Sequence, residues 1–325
     1  MAETDEDLEQ PRGAGEWERE VIANLAAASL AEQRRGRRWG ILFKSLVLLY
    51  LFVVLFAVLN IGPLVGKAPG VSGPHTAMVE VRGEIAADSD ANADRLVEGL
   101  RNAFADPQTR GVIVRINSPG GSPVQAGIVY DEIRRLRKLH PQVPVYAVAG
   151  DLCASGGYYI AAAADRIYAN QASMVGSIGV RFGGFGFVQA MKDLGVERRL
   201  ITAGKNKAML DPFQPEDPEQ VAHVQKMVDR IHQQFIQAVR EGRGERLGDP
   251  GPELFSGLIW TGEQAIDKGL VDGLATASQV ARDVIGAENI VDYTPRKDLL
   301  QRVSERVGAT FARALHSEAL VPDLR

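Results

Sequence analysis

An α/β domain, its parallel sheet covered by helices on both faces and carried behind one apolar N-terminal helix, is the fold class this sequence predicts. Three observations predict it. Strand-length apolar runs alternate with helix-length amphipathic runs from residue 76 onward. The strand runs are almost continuously apolar, as strands buried on both faces are. Ahead of them lies an uncharged stretch of 22 residues, Ser45–Gly66.

The elements follow in order. "AMVEVRGEI" (77–85) reads as a strand, "ADRLVEGLRNAFAD" (93–106) as a helix and "GVIVRI" (111–116) as a buried strand. "VQAGIVYDEIRRLRKLH" (124–140) is a helix and "VPVYAVA" (143–149) a second buried strand. "GGYYIAAAA" (156–164) opens a helix, "RIYAN" is a short strand, "FVQAMKDLG" a helix and "ERRLITA" (197–203) another strand. A long helix is expected from about Pro218 to Arg240, with Val221, Val224, Val228, Ile231, Phe235 and Val239 as its apolar stripe. Asp217–Pro218 is its start signal and Gly242 its stop.

Composition narrows the function. The chain has 325 residues, 45% hydrophobic and 24% charged, with net charge -4, which argues against a general nucleic-acid binder. Its one cysteine, Cys153, excludes an intramolecular disulfide and a multi-cysteine zinc site. About 20 apolar residues cross a bilayer core as a helix, so Ser45–Gly66 reads as an anchor. A buried core helix would be shorter and keep a polar stripe, and a cleaved signal peptide would lie nearer the start. Arg34, Arg35, Arg37, Arg38 and Lys44 precede the stretch and only Lys67 follows closely. By the positive-inside rule the N-terminus stays in the cytoplasm and everything after residue 67 is exported. Arg37–Arg38 also fits a twin-arginine signal, a reading the strongly apolar run weakens.

The expected organisation is therefore a tail (1–40), a transmembrane helix (41–65), a Gly/Pro linker (66–75), an exported α/β domain (76–290) and a C-terminal extension (291–325). Eight acidic residues fall in the first twenty, followed by Trp17, Val21 and Leu25 at helical spacing. That is a solvated tail, with a partner-binding helix as the sharper alternative.

Two strand ends run into a glycine pair and then a helix. In "INSPGGSPV" (116–124), Pro119 ends the strand, and Gly120–Gly121 can turn their N–H groups outward to hold a developing oxyanion. In "CASGGYY" (153–159), Ser155 sits where strand gives way to helix, either as a simple N-cap or as a nucleophile favoured by the helix dipole. No histidine suits it. His75 falls in the linker, His140 at a helix end and His316 in the tail, while His223 lies beside polar residues. His232 sits between Val228 and Phe235, a packing environment. A serine peptidase can use a lysine base instead. Such a base must be held partly neutral by burial, from an ordinary pKa of ~10.4 to about 7–8. "TAGKNKAMLDPF" (202–213) presents Lys205 and Lys207 beside small and apolar residues.

"RINSPGG", "CASGGYYIA", "MVGSIGV", "GKNKAMLDPF" and "WTGEQAIDKGLVDGL" occur in this order over roughly residues 76–285. In order and spacing they resemble the signal peptide peptidase A family, membrane-anchored serine proteases of the bacterial envelope, in its half-length form. The resemblance implies a ββα spiral like that of crotonases and the caseinolytic protease. It also implies a Ser/Lys dyad: Ser155 as nucleophile, Lys207 as general base, Ser177 of "GSIG" orienting the lysine, and Gly120 and Gly121 at the oxyanion turn. Cys153 replaces the residue expected there and reads as a small buried apolar side chain rather than a second nucleophile.

The function expected from this is hydrolysis of cleaved signal peptides and other hydrophobic membrane-derived peptides, through an acyl-enzyme and without metal or cofactor. The location implied is the bacterial inner membrane, single-pass, with the catalytic domain periplasmic. The implied partners are peptide substrates, the membrane and further copies of the chain, in a homo-oligomer whose sites take serine and lysine from neighbouring subunits. Two other classes stand beside this reading: a crotonase-like acyl-CoA enzyme, which an exported domain disfavours, and a non-catalytic membrane scaffold.

Overall fold

The computed structural model describes residues 35, 37–56, 73–248 and 251–295. Helix α1, Arg37–Phe56, is 20 residues long, which at 1.5 Å per residue is about 30 Å. None of it is buried against protein, and it is long and apolar enough to cross a membrane. The amphipathic stretch of Trp17, Val21 and Leu25, the anchor's expected end at 57–65, linker residues 66–72, and residues 296–325 with His316 lie outside the described residues.

By its contacts the chain divides at Lys67/Ala68, and the second unit carries the sheet. Strands β1 (His75–Arg82), β2 (Thr109–Ser118) and β3 (Val145–Ala154) form its centre. They are joined by helices α2 (Ala93–Ala105) and α3 (Pro123–Leu139). β1–β2 and β2–β3 pair in parallel, the arrangement a right-handed helical crossover produces. After β3 come α4 (Gly156–Ala161), β4 (Arg166–Ala169) and β5 (Met174–Gly176). Both short strands pair with β3: β4 with Tyr146–Val148 and β5 with Leu152–Ala154. Strand β3 thus changes neighbour midway, which brings the end of β5 beside the turn that follows β3. Then follow α5 (Val188–Asp193), α6 (Pro218–Arg243), β6 (Ile259–Thr261), α7 (Gly262–Asp267), β7 (Gly273–Leu274), α8 (Ala277–Gln279), a π-helical turn (Val280–Ile285) and β8 (Ile290–Asp292). Among the described residues β6 is the one antiparallel neighbour, against β5.

The apolar alternation of the strands loads both faces. Val79, Val112, Val114, Ile116 and Ala147 pack with α2, α3 and α4 in the main core, joined by Phe235 and Val239 of α6. Ile113, Val148 and Tyr168 face the other way, against Val280 and Ala281.

The local signals behave as physical chemistry requires. Ser122 caps α3 with Pro123 in its first turn, and Asp217 caps α6 with Pro218 in the same role. Two expectations need correction. Gly242 does not stop α6; the helix runs on to Arg243 and Gly244 ends it at φ +55. Gly242 is small for packing, since a Cβ there would lie 1.9 Å from the carbonyl oxygen of Ala162. Residues 197–203 form no strand; they are exposed, Ile201 fully so, and no strand among the described residues pairs with them.

Candidate active site

The site is built where two turns meet. β2 ends at Ser118, and the Pro119–Gly121 turn then leads into α3. β3 ends at Ala154, and Ser155 leads into α4. Gly120 (φ +99) lies so close to the second turn that a Cβ on it would meet the Ser155 Cβ at 2.6 Å and the Gly156 nitrogen at 2.7 Å. Gly121 (φ +147) lies against Ile85, whose backbone oxygen would be 2.1 Å from an added Cβ. Neither position admits a side chain.

Ser155 holds φ +52, ψ -122, and its hydroxyl makes no cap bond to α4. The N-cap explanation therefore fails. A non-glycine residue at positive φ costs about 1–3 kcal/mol and persists only where its surroundings enforce it. Here the Ser155 N–H donates to the Gly176 carbonyl at 2.8 Å, and its own carbonyl accepts from Tyr159 N–H at 2.9 Å. The outcome is a serine that makes no cap bond to α4 and lines a cavity.

That cavity, about 750 Å³, is lined by Ser155, Ser177, Gly120, Gly121, Gly156 and Tyr159 among others, with Ile231 and Phe235 of α6 on its wall. Ser177 is the second serine at positive φ, +51, with its N–H donating to Leu258 O at 2.7 Å. Tyr159, one helical turn after Ser155, stacks on Phe235 at 4.9 Å between ring centres, and burial raises its phenol pKa. Glu84 and Arg181 complete the lining as its charged residues.

The backbone amides decide where an anion fits. Gly120 N–H donates to the buried Ser118 hydroxyl at 3.1 Å, so it is occupied. Gly121 N–H has no protein acceptor among the described residues, because Ile85 pairs with the residues on either side of it. Gly156 N–H, first in α4, is free for the same reason every helix's first amides are. Of the two glycines read from sequence, the structure leaves Gly121 open, and Gly156 joins it. The glycine immediately after Ser155 was the signal available in sequence.

The remaining candidates are placed as follows. Lys207 is exposed and is not among the residues lining the cavity; its backbone N–H donates to Gly204 O at 3.1 Å. Lys205 pairs with Glu219 at 3.3 Å on the surface. Cys153 is fully buried on β3, and burial pushes its thiol up to about 12. His75 is not a linker residue; it is buried as the first residue of β1. His140 caps α3 and His223 is exposed. His232 lies beside Ile231 on α6, with its Nε2 3.1 Å from the Ile178 carbonyl oxygen. No histidine lines the cavity, and no cluster among the described residues could hold a metal ion.

Residues 137–289 match the model of peptidase family S49, a span that includes Ser155, Ser177 and Lys207. The chain is 45% identical over 210 residues to a Brucella abortus protein named Na(+)/H(+) antiporter NhaA, covering 64% of this chain and 28% of that protein. The chain thus spans little more than a quarter of that relative, and the antiporter name is that protein's own. It is 32% identical over 200 residues to a Synechocystis sp. protein whose name proposes a protease, covering 62% of this chain and 69% of that one. It is 30% identical over 220 residues to Protease 4 of Haemophilus influenzae, covering 66% and 35%. With the two-turn serine site and the mixed α/β sheet that frames it, these matches establish that the chain belongs to peptidase family S49, the signal peptide peptidase A family.

Proposed function

We propose that this chain is a serine endopeptidase acting on hydrophobic peptides, such as cleaved signal peptides, at a membrane. One observation carries the reading: Ser155, at positive φ, shares a cavity with the two unoccupied amides of Gly121 and Gly156. In the proposed reaction the Ser155 hydroxyl attacks the scissile carbonyl as a lysine removes its proton. The carbonyl oxygen takes up negative charge against the two amides. The lysine then returns the proton to the leaving amine, and water, activated by the same base, hydrolyses the acyl-enzyme. The aromatic and aliphatic wall of Tyr159, Ile231 and Phe235 suits an apolar substrate side chain.

Lys207 is the proposed base and Ser177 the group that orients it. A neutral lysine needs desolvation, which the exposed Lys207 of a single copy lacks. The reading is therefore of a homo-oligomer in which a neighbouring copy supplies and buries Lys207 at the Ser155 cavity. The exposed apolar side chains of residues 180–217, among them Phe182, Phe185, Leu194 and Ile201, suit that burial. The proposed placement is single-pass in a bacterial inner membrane, with α1 as anchor, the basic residues before it cytoplasmic, and the sheet domain periplasmic.

The test is cleavage of a fluorogenic hydrophobic peptide by the full chain in detergent. Ser155→Ala and Lys207→Ala are each expected to lower kcat by roughly 100- to 10,000-fold with folding unchanged by circular dichroism. Equal rates in wild type and Lys207→Ala would remove the lysine from the mechanism. A wild type that cleaves nothing would favour a non-catalytic scaffold.

A further inference from the structure

The turn that carries Ser177 is tied to the rest of the protein at three points. The Gly176 carbonyl accepts from Ser155 N–H at 2.8 Å, and Ser177 N–H donates to Leu258 O at 2.7 Å. The third tie comes from a side chain: His232 Nε2 lies 3.1 Å from the Ile178 carbonyl oxygen. A carbonyl oxygen can only accept, so the Nε2 of His232 carries the proton. Ile178 is fully buried, and its carbonyl would otherwise lose its side-chain partner.

The placement of this bond gives it a role. Ser177 stands at φ +51, a conformation held only where the surroundings over-determine it. The histidine sits on α6 next to Ile231 and one turn before Phe235, both on the cavity wall. The bond therefore links the wall to the turn that places the Ser177 hydroxyl.

We infer that His232 is a positioning residue for the peptidase reaction, holding the Ser177 turn through the Ile178 carbonyl. It touches no reacting atom, and it acts whichever copy supplies the lysine. The inference rests on the reading of Ser177 as the lysine-orienting group.

The test uses the full chain in detergent as wild type, His232→Ala, His232→Gln, Ser177→Ala and the double variant His232→Ala/Ser177→Ala. His232→Ala is expected to lower kcat about tenfold while KM stays within about twofold, since a misplaced group costs rate rather than binding. His232→Gln, whose amide nitrogen can reach the same carbonyl, is expected to recover most of the rate. In the Ser177→Ala background, His232→Ala is expected to add nothing, the mark of two residues acting through one function. Hydrogen exchange at the Ser177 and Gly179 amides is read in parallel, faster in His232→Ala and restored in His232→Gln. A normal rate in His232→Ala, a full additional loss in the double variant, or unchanged exchange each overturns the inference while leaving Ser177 in place. A wild-type rate in Ser177→Ala overturns the reading of Ser177 and the inference with it.

Discussion

Ser155 and Ser177 both adopt left-handed backbone angles, φ +52 and +51, and each is held there by an amide-to-carbonyl bond to a neighbouring segment. Such angles cost about 1–3 kcal/mol each, a cost the surrounding sheet has to offset. Gly120, opposite Ser155, permits the close approach of the two turns. Gly120→Ala would force a methyl group to within 2.6 Å of the Ser155 Cβ at φ +99. We expect it to lower kcat by roughly 100-fold or more, because the proposed oxyanion donors move with the turn; peptide cleavage at matched folding checks it. Cys153 makes the opposite prediction. It is fully buried, with its thiol pushed up to about 12, so almost none of it is thiolate at neutral pH. Cys153→Ala is expected to retain cleavage, and the native thiol to resist maleimide at pH 8 until the protein is unfolded.

Between elements, close contact and charge do the fixing. α6 approaches α4 so nearly that Gly242 leaves no room for a methyl, its Cβ position being 1.9 Å from Ala162 O. Gly242→Ala should therefore destabilise by about 1–3 kcal/mol, although alanine in an open helix site would stabilise by about 1. Denaturant midpoints measure which effect wins. α2 and α3 are joined by Glu132, buried between Arg101 and Arg135, each 2.7 Å away. The hydrogen bond from Arg135, and then that from Arg101, lower its carboxyl pKa to about 2. A depressed pKa stabilises the fold fully above the unfolded carboxylate's range, near 4.3, and the contribution fades as pH falls toward 2. Thermal unfolding across pH 2 to 6 should show this loss in wild type, and a flatter profile in Glu132→Gln.

At the scale of the whole molecule, the distribution of apolar surface carries the argument. Residues 180–217, the segment that carries the proposed base, expose Phe182, Phe185 and Ile201, the last completely. If sites are shared between copies, Ser155→Ala and Lys207→Ala chains complement each other. Inactive alone, they are expected to recover about a quarter of wild-type activity on random 1:1 mixing, the share of sites pairing an intact serine with an intact lysine. No recovery after verified subunit exchange would place both groups in one copy. The same arrangement predicts that dilution to monomers abolishes cleavage.

Local chemistry made much of this protein legible from sequence alone. Apolar periodicity placed strands β1 to β4 and the helices α2, α3 and α6, and Asp217–Pro218 marked where α6 begins, while the short strands β5 to β8 went unread. The order of five short motifs carried the family. Ser155 and the Pro-Gly-Gly turn each read locally as an ordinary cap or turn, and it was the order of the motifs around them that marked them as candidates. Tertiary structure decided what depends on partners distant in sequence. The stretch 197–203 has strand composition, but no strand among the described residues pairs with it. Gly242 resembles a helix stop, and only the carbonyl of Ala162 shows why it is small. Gly120 lost its amide to Ser118, and Gly156 emerged beside Gly121, because hydrogen-bond occupancy is a property of the folded neighbourhood. His232 looked like packing until Ile178, 54 residues earlier, was found on its Nε2. Periodicity and caps are read within a few residues of the chain, whereas pairing, occupancy and burial are set by segments that only folding brings together.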